Sequence, residues 1–358
     1  MGKNSPPPPL STATAASADG DRSETPDGGP KSPSITPCRG QVYEMDCHEY
    51  FATTPAPPCV QPAEQQLDEF LKHATKRPIV LVTSGGTTVP LEQQTVRFLD
   101  NFSAGTRGAT SAEHFLRAGY SVVFMHRQYS LRPFSRHYTH SRETIFDLLE
   151  MEPGSGVVKV RADLEHKARE LLAEYHRFVT QDKALLSIEF TTVADYLFLL
   201  RMCVQRIHQA AGPRALYYLA AAVSDFFLPL HKMVEHKIQS RGGALALTLD
   251  PVPKTLRTFV GEWAPGGFTV SFKLETDPAM LEKKSKQALD RYGHQLVIGN
   301  MLKTRKFIVY FFSLDGDKLV TDTIELSKEE QAKTAEIEAH MIPKLVDLHS
   351  RWIQKHSA

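Results

Sequence analysis

The residues most able to do chemistry lie in two loops rich in small residues. The first, Thr83–Thr88, follows a short apolar run that is typical of a buried strand. The second, Asn101–Gly108, precedes a helical pattern. In α/β proteins, loops between a strand and a helix bind phosphate groups through backbone N–H donors. Arg97 and the amide of Asn101 lie between Gly85-Gly86 and the glycines of the second loop. The pattern therefore predicts a nucleotide site with an anionic co-substrate beside it.

Two familiar phosphate-binding motifs are absent from the chain. No G-x-x-x-x-G-K-[ST] sequence occurs, so the lysine of a P-loop is missing. The dinucleotide fingerprint G-x-G-x-x-G is also absent, because only Gly85-Gly86 follows the strand and Pro90 interrupts any helix starting there. The next strand ends in Arg127 rather than in the acid that holds a ribose in NAD enzymes. Taken alone, Gly85-Gly86 is equally compatible with a plain tight turn.

The first 62 residues differ in composition from the rest of the chain. They hold about half of the chain's 23 prolines, with runs of Ser, Thr and Ala and few large apolar residues. Such a segment buries too little surface to offset its conformational entropy, so it is predicted to be a disordered tail. Its start lacks the apolar region of a secretory signal. Residues 63–358 are predicted to form one large domain, with room for an appended subdomain.

Charge and cysteine usage exclude several classes of protein. The net charge of +1 gives no electrostatic case for nucleic acid. No run of 18 apolar residues occurs, so no membrane span is predicted. Of the four cysteines, only Cys203 falls in the predicted domain, which favours a reducing, cytoplasmic location. The histidines and cysteines show no zinc-site spacing, so no metal bound by protein side chains is expected.

Apolar runs alternate with helical patterns along residues 63–358. Strands are predicted at 79–83, 121–126, 157–160, 184–190, 215–221, 268–273, 295–299 and 306–312. Helices are predicted at 64–75, 107–118, 162–181, 192–211, 278–292 and 328–355. This alternation predicts an α/β fold: a Rossmann-like, doubly wound, mostly parallel sheet with helices on both faces.

Open parallel sheets bind ligands outside the carboxyl ends of their strands, so the strand ends form a shortlist of site residues. Strand 215–221 leads into Ala221, Ala222 and then Asp225. Strand 268–273 ends in Phe272-Lys273, and Asn300 follows strand 295–299. Any one of these is compatible with a capping or turn residue. Together with the glycine pair, they predict a ligand site along one edge of the sheet.

The segment Glu235–Asp250 is predicted to form a flap. Arg241-Gly-Gly resembles the turn of a hairpin between two short strands. Lys237, Lys254 and Lys273 are long enough to reach a polyphosphate, although each is equally compatible with an ordinary solvated surface charge.

These landmarks together resemble phosphopantothenoylcysteine synthetase of the eukaryotic type. The resemblance covers about residues 76 to 355. It rests on seven pieces in this order: SGGT at 84–87, VRFLDNFSAGTRGATSAE at 96–113, EFTTVADYL at 189–197, YLAAAVSDF at 218–226, EHKIQS at 235–240, SFKLETDP at 271–278 and Asn300. It implies that residues 63–358 are the ligase domain, with the nucleotide site and a dimerisation or flap segment.

The resemblance implies an activity and its ligands. The family joins the carboxylate of 4′-phosphopantothenate to the amine of L-cysteine, a step of coenzyme A synthesis. A carboxylate is a poor electrophile, so it is first transferred to the α-phosphate of a nucleotide. Cysteine then displaces the nucleoside monophosphate. The expected co-substrate is ATP with Mg²⁺, and the expected assembly is a homodimer.

The resemblance also implies roles for individual residues. ATP contacts are expected from six residues: Gly85, Ser103, Gly105, Gly108, Phe272 and Asn300. Phosphopantothenate and its activated carboxyl are expected at Asn101, Ala221, Ala222 and Asp225. Arg97 matches the family arginine that reaches into the neighbouring subunit's site. Asn101, Arg97 and Asp225 are the expected catalytic residues.

Departures from the bacterial relatives bear on the nucleotide. Those enzymes use CTP and carry Lys and Asp shortly before the asparagine, whereas the stretch 291–300 here has neither. ATP is therefore favoured over CTP. Two alternatives stay open from the sequence. One is an NADP-dependent oxidoreductase, which the glycine pair and Arg127 would support. The other is a non-catalytic nucleotide-binding subunit that keeps the fold.

Overall fold

A computed structural model of the chain describes residues 45–139, 145–240 and 244–357. Its centre is an eight-stranded sheet. Six strands run parallel, in the spatial order β12 (Leu296–Met301), β11 (Phe268–Glu275), β8 (Ala215–Leu219), β1 (Ile79–Ser84), β4 (Ser121–Arg127) and β7 (Leu185–Phe190). Two antiparallel strands, β13 (Ile308–Asp315) and β14 (Lys318–Glu325), extend the sheet beyond β12. The predicted α/β class with a mostly parallel sheet is confirmed.

Helices cover both faces of the sheet because its central strands are apolar on both sides. One face packs against α2 (Val60–Ala74) and α6 (Val193–Ala211) through a core that contains Leu67, Phe198 and Cys203. The other face packs against α3 (Thr106–Arg117) and α10 (Glu338–His356) through Phe115 and Leu345. Helix α8 (Pro278–Tyr292) covers β12 and β13 with Leu281 and Leu289.

Shorter elements connect the main ones in the described part of the chain. The additional α-helices are α1 (Cys47–Thr53), α4 (Ile145–Leu148), α5 (Glu165–Tyr175), α7 (Leu256–Thr258) and α9 (Lys328–Ala332). Three small antiparallel pairs join β2 (Thr88–Pro90) to β3 (Phe98–Asp100), β5 (Leu149–Met151) to β6 (Val158–Val160), and β9 (Phe226–Phe227) to β10 (Asp250–Pro251). None of the described helices combines the length and apolar character needed to cross a bilayer.

The structure corrects three elements of the prediction. The predicted strand 157–160 pairs with β5 in a separate hairpin and does not join the central sheet. Strand β14 was not predicted, because as an edge strand it is largely solvent-exposed and lacks an apolar face. The single helix predicted over 328–355 is two helices, α9 and α10, and Thr334 between them has a left-handed φ of 53°.

The predicted disorder of residues 1–62 is wrong from residue 45 onward, and residues 1–44 lie outside the described part. Asp46 caps α1 by accepting a hydrogen bond from the N–H of His48. Tyr50 of α1 is 1% exposed and contacts Phe198 and Phe227. The composition of the segment hid this apolar anchor, because it lies among prolines and small residues.

The predicted hairpin flap is not formed by the described residues. Its turn, 241–243, lies outside them, and residues 244–249 form no strand. Instead, β9 and β10 pair over two residues and close the segment at its base. The segment is also anchored along the loop after β2, where the N–H groups of Gln93 and Gln94 donate to the carbonyl oxygens of Val234 and Glu235.

Candidate active site

The shortlisted strand ends do meet at one edge of the sheet. Strand β1 pairs with β4 on one side and β8 on the other, and β11 lies between β8 and β12, all in parallel. Their carboxyl ends therefore point the same way. The pairing of β1 with β8 continues past the strands, because the N–H of Ala222 donates to the carbonyl of Gly85 and the N–H of Thr87 donates to the carbonyl of Ala222.

Two threonine hydroxyls extend this connection. Oγ1 of Thr83 accepts the N–H of Ala221 at 3.1 Å, and Oγ1 of Thr87 accepts the N–H of Ser224 at 2.9 Å. Both threonines are fully buried. The loop after β1 (the glycine loop, 85–87) and the loop after β8 (the alanine loop, 220–224) are thus held together as one rigid unit. The backbone N–H groups of Ala221 and Ala222 are already used inside the protein, so toward a ligand these residues present small side chains.

Gly85 lies under a third loop, Arg127–Phe134, which follows β4. Gly85 has a φ of +85°, and a Cβ there would lie 2.7 Å from Cβ of Arg127 and 3.3 Å from Cβ of Ser130. Arg127 also forms an ion pair with Asp100, with 2.5 Å between Nη1 and Oδ1. Both the conformation and the space at this position therefore require glycine.

Helix α3 begins directly over the end of β1. Gly105, with a φ of +82°, precedes the helix, and its carbonyl accepts a hydrogen bond from the hydroxyl of Ser84 at 3.0 Å. A Cβ on Gly108 would lie 2.4 Å from Cβ of Ser84. The hydroxyl of Ser103 accepts a hydrogen bond from the N–H of Gly105 at 3.4 Å. The N-terminus of a 12-residue helix, with its unpaired N–H groups, is thereby fixed at the carboxyl edge of the sheet.

Asn101 is held beside this helix by its backbone. Its N–H donates to the carbonyl of Thr87 at 3.1 Å. Its own carbonyl lies against Gly86, where a Cβ would come within 1.6 Å of the Asn101 oxygen. Within the described part of the chain, the side-chain amide of Asn101 has no hydrogen-bond partner, which leaves all of its donors and acceptors for a ligand.

Arg97 is held by a carboxylate that the sequence analysis did not single out. Glu92 is completely buried, and its Oε1 lies 2.9 Å from Nη1 of Arg97. The same carboxylate accepts the N–H groups of Arg97, Val96 and Ile238. The pKa of Glu92 is lowered to about 2, and the largest cause is the hydrogen bond that it accepts from the N–H of Arg97. Glu92 therefore fixes both the Arg97 loop and the segment around Ile238.

Asp225 and the three lysines differ in their surroundings. Asp225 lies at the rim, 77% exposed, with its Oδ1 3.5 Å from Nζ of Lys254. Lys273 lies 3.7 Å from Glu275, which Lys284 also contacts at 2.9 Å. Lys237 is exposed and has no ion-pair partner among the described residues. Of the lysines proposed to reach phosphate, Lys237 alone is not engaged by a carboxylate within that part of the chain.

Phe272 and Asn300 lie on the neighbouring strands β11 and β12. Asn300 is the last residue but one of β12, whereas β11 continues three residues beyond Phe272 to Glu275, past the predicted strand end at 273. The ring of Phe272 packs edge-on against Tyr218, with 4.9 Å between centroids. Asn300 is 6% exposed, and its Oδ1 is buried without a hydrogen-bond partner in the described structure. A buried, unpaired amide oxygen is costly to maintain unless a ligand or water satisfies it.

Sequence reasoning missed Glu92, the two threonines and the loop after β4. The loops around Gly85 and Asn101 were recognisable from their glycines. Glu92 lies in a polar stretch and has no such signal in the sequence. Only its four hydrogen bonds in the structure distinguish it from a surface glutamate.

Comparison with known proteins identifies the family. The profile of the DNA/pantothenate metabolism flavoprotein C-terminal domain matches residues 75–151 and 176–339. The phosphopantothenate–cysteine ligase of Homo sapiens is 45% identical over 284 residues, which cover 78% of this chain and 89% of the relative. The chain belongs to the phosphopantothenate–cysteine ligase family. The resemblance described from the sequence is therefore confirmed, and the oxidoreductase alternative is not favoured.

Two further comparisons support this assignment. The phosphopantothenate–cysteine ligase CAB2 of Saccharomyces cerevisiae is 42% identical over 335 residues, covering 87% of this chain and 88% of the relative. A solved structure of a Cab2 mutant in complex with phosphopantothenate-cysteine superposes with a TM-score of 0.79 at 43% identity, covering 87% of this chain and 100% of that one. The ligase fold described above is thus shared along most of the chain.

Proposed function

We propose that this chain is the ligase that joins 4′-phosphopantothenate and L-cysteine, using ATP and an acyl-adenylate intermediate. The observation that carries the proposal is its identity of 42–45% to curated phosphopantothenate–cysteine ligases over most of both chains. The geometry is consistent with it, since a helix N-terminus, an Asn101 amide with no partner among the described residues, and the loop after β8 share one edge of the sheet.

The nucleotide is assigned to the side of the site formed by β1, α3, β11 and β12. Its phosphates would lie at Gly85, Ser103, Gly105 and Gly108, where the N-terminus of α3 favours negative charge. Its base and sugar would lie toward Phe272 and Asn300. The buried oxygen of the Asn300 amide is an acceptor for an exocyclic amine, which adenine offers.

Magnesium is assigned to the phosphates of the nucleotide. The described residues contain no group of three His, Cys, Asp or Glu side chains that could hold a metal ion. Mg²⁺ binds readily to phosphate oxygens while keeping part of its water shell. It would neutralise charge on the polyphosphate without a protein side chain as ligand.

Phosphopantothenate is assigned to Asn101, Ala221, Ala222 and Asp225. The short side chains after β8 leave room for the carboxylate to approach the α-phosphate in line. The amide of Asn101 would donate to the oxygen on which charge develops during the two transfers. The carboxylate oxygen attacks the α-phosphorus and pyrophosphate leaves. The cysteine amine then attacks the carbonyl, AMP leaves, and the amine loses a proton to solvent.

The active form is proposed to be a homodimer, in which Arg97 serves the site of the other subunit. Arg97 and Asn101 flank β3, so the strand separates them by roughly 13 Å at about 3.3 Å per residue. Side chains on and beside β3 are apolar yet exposed: Val96, Phe98, Leu99 and Phe102. An exposed apolar surface of this kind typically marks a protein–protein contact. A cytoplasmic location stays a prediction.

The decisive experiment is a product assay. Pyrophosphate release from ATP is expected only when phosphopantothenate is present, whereas AMP release and the amide product are expected only when cysteine is added as well. ATP is expected to give a higher kcat/KM than CTP. Asn101→Ala should lower the rate by roughly 10²–10³, the usual cost of removing one such donor, while Gln94→Ala in the exposed loop before β3 should not. Failure of wild-type protein to release AMP under these conditions would overturn the proposed function.

A further inference from the structure

Arg107 occupies the first turn of α3 and bridges that turn to two other elements. Its Nη1 donates to Oε1 of Glu338 at 2.7 Å, and Glu338 lies in the first turn of α10. Its Nη2 donates to the backbone carbonyl of Arg305. The Arg107 side chain is 18% exposed and that of Glu338 is 8% exposed. The guanidinium therefore uses two separate N–H groups to hold two partners, of which the Glu338 carboxylate is largely buried and the Arg305 carbonyl is exposed.

The carbonyl that Arg107 holds belongs to the loop Met301–Phe307, which directly follows Asn300. This loop is compact, because the N–H groups of Thr304 and Arg305 both donate to the carbonyl of Met301. The N–H of Leu302 also donates to the carbonyl of Glu275, which ties the loop to the end of β11. Asn300 itself is held in β12 opposite Leu274 of β11, so the Arg305 carbonyl fixes the loop that begins one residue after it.

A second connection links α3 to the strands β8 and β11. The hydroxyls of Ser111 and Tyr218 are 2.8 Å apart, and Ser111 belongs to α3. The ring of Tyr218 supports Phe272 edge-on. Helix α3 is thereby connected to Phe272 through Tyr218. It is connected to the loop after Asn300 through Arg107.

We propose that Arg107 is a positioning residue for the nucleotide, which sets the distance between the phosphate end and the base end of its site. The inference rests on the proposed function, which places the phosphates at the start of α3 and the base at Phe272 and Asn300. Arg107 acts through the Arg305 carbonyl and the Glu338 carboxylate and does not touch the substrate. A lysine in its place has one ammonium centre and cannot hold both acceptors in the same geometry.

Arg117 on the same helix provides a matched control. It also forms ion pairs, with Glu174 at 2.7 Å and Glu113 at 3.5 Å, and is 35% exposed. Ten residues of helix separate it from Arg107, roughly 15 Å along the axis. Arg117→Lys therefore removes a guanidinium from an ion pair on α3 without a change at the proposed nucleotide site.

The test compares Arg107→Lys, Glu338→Gln and Arg117→Lys with wild type in steady-state kinetics and in ATP binding by calorimetry. Arg107→Lys is expected to raise KM and Kd for ATP, with an upper limit of roughly tenfold to a hundredfold, the fold-change if one charge-assisted hydrogen bond is fully coupled to ATP binding. Its KM for phosphopantothenate should stay within about twofold. Glu338→Gln keeps a neutral acceptor for Nη1 and should give a smaller rise. Arg117→Lys should change neither KM.

Two results with the Arg107→Lys variant would overturn the inference. One is an unchanged affinity for ATP in a folded Arg107→Lys variant. The other is an equal rise in KM for ATP and phosphopantothenate, which would indicate a general loss of structure. Because calorimetry needs no turnover, it tests Arg107 even if wild type fails to release AMP, so the proposed function and this inference fail separately. A wild type that binds no ATP would overturn both.

Discussion

The alpha carbon of Gly86 lies so close to the backbone carbonyl of Asn101 that a Cβ added there would come within 1.6 Å of the oxygen. No side chain fits in that space unless the Asn101 loop moves. The absence of a side chain at one residue therefore fixes the position of the proposed oxyanion donor fifteen residues further along the chain. Gly86 is needed for this close backbone contact, independently of any ligand.

Gly86→Ala is expected to lower activity at least tenfold and to cost about 1–3 kcal/mol of stability, the usual range for overpacking. The control is Gly261→Ala, since a Cβ at Gly261 would meet nothing within 4 Å. Neither position has a left-handed φ, so the two variants differ mainly in available space. Turnover and chemical unfolding of both should be measured. Similar behaviour of the two variants would contradict the packing argument.

The helix α1 is expected to make the N-terminal boundary of the functional chain fall near residue 45. Removing residues 1–44 should leave turnover and melting temperature close to those of the full chain. Removing residues 1–59 should lower both, because Tyr50 packs against Phe227, two residues beyond Asp225. Thermal melting and AMP release of the two truncated chains test this boundary, and equal values for both would contradict it.

A point variant separates this effect from the loss of chain length. Tyr50→Ala should cost roughly 3–5 kcal/mol, as for other buried aromatic side chains. Phe146→Ala, at a phenylalanine that is 79% exposed, should cost little. Equal stability of the two variants would show that α1 does not pack as described.

Glu92 is expected to give the protein a pH-dependent stability. Its pKa is lowered in the folded state to about 2 from a usual value of 4.5. The unfolded chain then binds a proton on Glu92 more readily than the folded chain does. The resulting stabilisation is complete above about pH 4.5 and is lost as the pH falls toward 2. The difference in unfolding free energy between wild type and Glu92→Gln should shrink across that window, and a constant difference would contradict the assignment.

The proposed exchange of Arg97 between subunits predicts complementation. Homodimers of Arg97→Ala and of Asn101→Ala should both be nearly inactive. In a heterodimer of the two, one site carries both defects and the other carries neither. Equal co-expression gives about half heterodimers under two-fold symmetry, so roughly a quarter of wild-type activity should return. If isolated heterodimers stay inactive, Arg97 and Asn101 serve the same site.

The sequence predicted well those features that depend on local pattern. The strands around Ile79 and Leu216 and the helix α6 have apolar periods that match their burial. The edge strand β14 was not predicted because its side chains face solvent, which leaves no apolar alternation. Helix α1 was not predicted because it is buried by only two residues, Cys47 and Tyr50, which are too few to give an apolar pattern.

The site was predictable to the extent that it uses backbone geometry. Gly85 and Gly105, where φ is left-handed, stand out in the sequence by residue type alone. The links between loops were not predictable, because Thr83 and Thr87 look like ordinary strand and loop residues. Their role depends on N–H groups that lie 138 and 137 residues away in the sequence.

The hydroxyl and backbone links between the loops after β1 and β8 also restrict how such a chain can change length. An inserted or deleted residue in either loop would shift every N–H past its acceptor, from Ala221 with Thr83 to Ser224 with Thr87. Residues 152–175 fall outside the two stretches that match the family profile. Insertions and deletions among relatives should therefore accumulate around α5 and be rare in the two loops, so the gap-free stretches of an alignment should contain both loops.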